Sequence, residues 1–159
     1  MTGAIQPWLE SVPLLCGLTV VVAGVGSVLP FSPIEPFLLG LAAVVPRHVL
    51  LPVALVATLG HMGGKVLLYL GARDARHALR ARHRAAVERA GAHLARRRPL
   101  QYLAVLVSAC VGVPPFYAVT LACGALRVPL GCFLAAGTVG RGVRFAGLVL
   151  VPQLFRDTA

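Results

Sequence analysis

The sequence predicts an all-α integral membrane protein. It would be an inverted repeat, each copy a re-entrant hairpin plus a transmembrane helix, with a basic cytoplasmic amphipathic helix linking the copies. Three observations predict it. Mean hydropathy is +0.84, and charged residues make up only 13% of the chain, too little polar surface for a soluble domain. Residues 11–34 and 100–126 are uncharged over 24 and 27 positions, where about 20 helical residues suffice to cross a bilayer core. Finally, two stretches about 80 residues apart follow one plan, with Pro33 matched by Pro114 and Gly60 by Gly140.

The elements follow in order within a single membrane domain, residues 1–159. Residues 12–28, VPLLCGLTVVVAGVGSV, read as a first apolar helix. The segment before it lacks the basic start of a signal peptide, so this helix is expected to stay in the mature protein. Copy one covers 29–72, with a re-entrant part at 29–46 and a span at 48–72. In LPFSPIEPFLLG (29–40), Pro30, Pro33 and Pro36 remove backbone donors, and residues preceding a proline avoid the helical region. The chain is therefore expected to turn across Pro30–Pro36, with Glu35 at the bend. The leg from Ile34 to Val45 has 12 residues, about 18 Å of helix, too short to cross. Broken backbone at that depth needs protein or a wet cavity around it, and a carboxylate there is a functional candidate. The alternative is a solvated surface loop, which the apolar flanks SVLPF and FLLG disfavour.

Residues 73–98 hold nine arginines against Asp74 and Glu88, so they are expected on the cytoplasmic side. In so apolar a chain, the Arg73–Arg98 run suits anionic lipid headgroups, and no nucleic-acid partner is expected. Leu79, Val87 and Leu94 are spaced for a helix lying on the membrane surface. Copy two covers 100–155. Its re-entrant part is 100–126, broken at Pro114 and Pro115 in VGVPPF, and its span is 128–151. Opposed copies of this kind place a working site at their interface in many transporters.

The candidate pathway residues are Glu35, Lys65, Arg141, Arg144 and His61. Three cations inside spans are costly alone, and Glu35 is expected to pair with Arg144 or Lys65 to offset both desolvation costs. His61, one turn from Lys65, is either a donor or a packed structural histidine. Gly64-Lys65 lacks the remainder of a phosphate-binding loop. Gly60-x-x-x-Gly64 reads as a close helix contact. Cys16, Cys110, Cys123 and Cys132 have no metal-ligand spacing and read as packing residues. No serine or cysteine has a plausible histidine and carboxylate for nucleophilic catalysis. Neither an enzyme nor a metal or other cofactor is expected.

These motifs resemble the DedA-like membrane proteins, also called the VTT or SNARE-associated Golgi protein family. The matching residues are P-x-E-P at Pro33–Pro36, G-x-x-x-G followed by tyrosine and LG-x-R at Gly60–Arg73, CGALRVPLG-x-F at 123–133, and GRGVRF at 140–145. The resemblance spans roughly residues 28–150 and is closest to the small, divergent bacterial branch. It implies two re-entrant hairpins meeting in the membrane, and a place among lipid scramblases and polyprenyl-phosphate or phospholipid flippases. By position, Glu35 matches the functional acid of the first hairpin. Lys65 stands where typical members carry an acid, and Val111 and Tyr117 stand where they carry arginines, so Lys65, Arg141 and Arg144 would supply the cationic role.

The sequence thus leads to a multi-pass lipid transporter of flippase or scramblase type in a bacterial inner (plasma) membrane. Its preference for arginine over lysine, 14 to 1, hints at a GC-rich bacterial genome. The partners would be membrane lipids, with a homo-oligomer left open. Two alternatives stand beside it: a proton-coupled exporter of small cations, and a non-transporting membrane scaffold.

Overall fold

The computed structural model describes residues 11–29, 34–75 and 98–156. Those residues form six helices and no strand: α1 (Val12–Val28), α2 (Ile34–Val44), α3 (Arg47–Ala75), α4 (Arg98–Val111), α5 (Phe116–Ala125) and α6 (Leu130–Arg156). Pro30, Pro33 and most of the arginine-rich connection, 76–97, lie outside the described residues.

Proline sets the boundaries. Pro13, Pro36, Pro46, Pro99, Pro115 and Pro129 each stand in the first turn of a helix or directly before it. There the missing N–H removes no intrahelical bond, and the fixed φ favours the helical start. This corrects the expectation for Pro36 and Glu35. Neither sits at a bend, because both are already helical in the first turn of α2. The bias of a residue preceding proline is overridden, and the Glu35 carboxylate sits at the positive end of the α2 dipole. Pro114 and Pro115 do lie in a break, residues 112–115 between α4 and α5. Gly112 opens that break with φ +88°, a conformation that side chains disfavour.

Among the described residues, two helices are long and apolar enough to cross a membrane, Arg47–Ala75 and the stretch Leu130–Gln153. α3 runs on through Arg73 and Asp74, which the sequence assigned to the connection. Of residues 100–126, expected as a re-entrant part, 100–111 belong to a 14-residue helix, α4, packed on α6.

The packing follows one rule twice. With the halves taken as α1–α3 and α4–α6, the long helices α3 and α6 pack on each other; each also packs on the first helix of its own half and on the short helix of the other half. Two apolar cores result. One joins Val49–Ala57 of α3 to Phe145 and Val149 of α6; the other joins Met62 and Tyr69 to Phe133 and Ala136. The early part of α3 thus meets the late part of α6, so the two long helices run antiparallel.

Glycine permits the close contacts. A Cβ at Gly60 would lie 2.8 Å from the Val20 carbonyl oxygen of α1. At Gly140 it would lie 2.6 Å from Ala109 Cβ and 2.8 Å from the Leu106 carbonyl oxygen of α4. The matched glycines therefore do the same job in each half, seating the long helix on the first. At the other junctions, the Tyr69 hydroxyl donates to the Val128 carbonyl just beyond α5, and the Gln153 amide donates to the Ala42 carbonyl near the end of α2.

Candidate functional site

His61 is the midpoint of α3, and Arg141 lies near the middle of α6. Between them opens a cavity of about 280 Å³, lined by Glu35, His61, Lys65, Phe116, Arg141 and Arg144, with Tyr117, Gly112, Pro115 and Leu29 completing the wall. All five residues singled out from the sequence line this one space.

Each cation has a defined post. Arg144 is held on two sides. Its Nε and Nη2 donate to the two Glu35 carboxylate oxygens at 2.8 and 2.9 Å, the two-pronged geometry that suits guanidinium and carboxylate. Its Nη1 donates to the carbonyls of Cys110 (3.1 Å) and Val111 (2.7 Å). Those are among the last carbonyls of α4, which have no partner in their own helix. Gly112 is what lets the guanidinium in, since a Cβ there would meet Nη1 at 3.3 Å.

Lys65 holds the corresponding post in the first half. Its ammonium donates to the carbonyl of Ser27, in the last turn of α1, and lies 5.2 Å from the Tyr117 ring centroid. Both long helices therefore send a cation to the negative end of the first helix in their own half, where the helix dipole favours it. The sequence allowed either cation to pair with Glu35. Arg144 takes that place, and Lys65 is committed to Ser27.

Arg141 reaches Glu35 only at 3.4 Å. Its guanidinium is instead held by aromatic faces, 4.8 Å from the Phe116 centroid and 5.7 Å from Phe145. His61 touches the same two rings, near-parallel to Phe116 at 6.5 Å and edge-on to Phe145 at 5.6 Å. The depth of burial divides the group. Lys65, His61 and Arg141 are 2%, 0% and 5% exposed, whereas the side chains of Glu35 and Arg144 are 29% and 24% exposed. Both ring nitrogens of His61 and the Nε of Arg141 are buried without a hydrogen-bond partner, and buried polar groups are seldom left so.

Phe116, Phe145 and Tyr117 were missed from the sequence as site residues. A usable signal existed: the 80-residue offset that matches Gly60 to Gly140 also matches His61 to Arg141 and Lys65 to Phe145. Three cations and one carboxylate leave the cavity with two uncompensated positive charges, a concave surface rich in donors. Chemically it is suited to receive an anion.

Compared with protein-family models, with curated proteins and with solved structures, the chain matches none.

Proposed function

We propose that the protein is a multi-pass lipid transporter of flippase or scramblase type in a bacterial inner membrane, of the DedA-like kind. In it, two inverted copies, each carrying a re-entrant hairpin, meet at a polar cavity. The observation that carries this reading is the placement of that cavity. His61 is 14 residues from either end of α3, about 21 Å along the helix axis, so α3 spanning a bilayer would put the cluster near its centre.

The distribution of polarity supports it. Leu51, Leu55, Leu59, Leu67 and Leu70 of α3 are exposed, while Lys65, His61 and Arg141 are buried, an arrangement suited to hydrocarbon outside and a polar path inside. The antiparallel α3 and α6, each bonded to the first helix of its own half, suit an inverted repeat with its site at the interface. A phosphate headgroup would enter among the cations while its tails stay in the lipid. Arginine suits that role, since its fork matches phosphate oxygens. Anionic lipids at the Arg73–Arg98 connection would hold the same protein at the cytoplasmic surface.

The surplus positive charge disfavours the cation exporter, which would need a cavity attractive to its cargo. The test is reconstitution of purified protein in vesicles with a fluorescent phospholipid. Glu35→Gln and Arg144→Gln are expected to slow transbilayer movement at least tenfold, the scale of a lost charge-assisted contact. Unchanged movement in both variants would sink the mechanism.

A further inference from the structure

Within the cavity the charged and titratable residues fall into two groups, and the division has a chemical meaning. Glu35 and Arg144 satisfy each other and are partly exposed. Lys65, His61 and Arg141 lie deeper, and their donors are under-used. Lys65 has the Ser27 carbonyl, Arg141 has one long contact to Glu35, and His61 has none.

We propose that His61, Lys65 and Arg141 form an inner anion subsite for a phosphate group, with Glu35 and Arg144 as the outer pair that an entering anion passes. The orphaned nitrogens carry the inference. His61 is fully buried, lines the cavity, and has two partnerless ring nitrogens; Arg141 Nε is likewise buried and free of partners.

The geometry selects the ligand class. His61 and Lys65 are four apart on α3 and so share one face, while Arg141 approaches from α6. Its guanidinium and the His61 imidazole are both positioned by Phe116 and Phe145. Donors converging from two helices suit a tetrahedral oxyanion, which offers oxygens in several directions, better than a planar carboxylate, which offers two. The phosphate could belong to a lipid headgroup or be free in solution. Only the choice between these sources rests on the lipid-transport reading; the subsite itself does not.

His61 has a signature that a structural histidine lacks. A histidine that packs the core stabilises the empty protein, whereas one held ready for a ligand leaves a buried polar group unsatisfied, so an apolar ring of similar size is tolerated or better. The experiment is thermal unfolding of the purified full chain in detergent micelles, titrated with sodium phosphate and, separately, with short-chain phosphatidic acid. Wild type is expected to be protected by at least one of them. His61→Phe is expected to unfold at the same or a higher temperature without ligand, and to need about tenfold more ligand for the same protection. Protection by sodium phosphate identifies a site open to the free anion; protection by phosphatidic acid alone identifies a headgroup site.

The proposal is overturned if His61→Phe lowers the ligand-free unfolding temperature and keeps the wild-type ligand dependence. It is equally overturned if neither ligand protects wild type, as for a cavity that holds water alone. Should His61→Phe not fold, Lys65→Met carries the same comparison: lost protection supports the subsite, and wild-type protection overturns it. The transport reading fails separately. Phosphate protection without lipid movement would leave the subsite and remove the transporter, and lipid movement with protection by neither ligand would do the reverse.

Discussion

Helices α1–α3 and α4–α6 repeat one order and one packing plan, yet the cations on the two long helices have different partners. In the first half, Lys65 meets a single carbonyl, that of Ser27. In the second, Arg144 meets two carbonyls of α4 and both oxygens of Glu35, which comes from α2 of the first half. A point charge suffices to cap one helix end; a planar fork is needed to cap one and grip a carboxylate as well. The packing order thus recurs while the chemistry does not. The ion pairs that join the halves, Arg144 and Arg141 to Glu35, both use cations of the second half, whereas Lys65 reaches the other half at the Tyr117 ring.

That difference can be broken at graded cost. Arg144→Met should be the most damaging, since it strands Glu35 and frees the α4 carbonyls. Removing one partner of a buried pair costs about 3–5 kcal/mol, and the partial exposure here puts the expectation at or below the lower end. Equilibrium unfolding in mixed micelles measures it. Adding Glu35→Gln to Arg144→Met should recover part of the loss, and a double variant that is worse than the single would break the pairing.

Next come the matched glycines. Gly60→Val and Gly140→Val must each push a long helix off its neighbour's backbone, at about 1–3 kcal/mol or more. Equal losses would support the two seats as equivalent; a neutral outcome at either would not.

Lys65→Met should cost less than Arg144→Met, about 1 kcal/mol, because one hydrogen bond is lost and an apolar chain of similar length takes the space. The same unfolding experiment ranks the two, and a reversed order would contradict the assigned roles. Smallest is the effect of Gly63→Ala and Gly142→Ala. Nothing lies within 4 Å of a Cβ at either, so better helix propensity should add about 0.5–1 kcal/mol each.

Much of the scaffold was legible in the sequence. The first helix was read at residues 12–28, and the structure has it at Val12–Val28, because an apolar run bounded by prolines leaves little choice. The long helices, read at 48–72 and 128–151, are Arg47–Ala75 and Leu130–Arg156, within five residues at every end, because each is a long run poor in charge. The error at Glu35 came from treating three prolines alike. Pro36 falls in a first turn, where proline costs nothing, and spacing alone does not reveal which proline breaks a helix and which starts one.

The five charged and titratable candidates were legible because charge is rare in so apolar a chain. Their partners were not. Ser27, Cys110 and Val111 act through backbone carbonyls, which carry no side-chain signal, and Phe116, Phe145 and Tyr117 are ordinary core residues by composition. Only the packing of α5 and α6 on α3 brings these rings to the buried cations.

Vesicle reconstitution tests the central claim most directly. Transbilayer movement of a phosphate-headed fluorescent lipid is compared between vesicles with and without purified wild-type protein. The expected result is movement faster with protein than without, and abolished by Arg141→Gln despite normal folding. Movement no faster than in protein-free vesicles would contradict it.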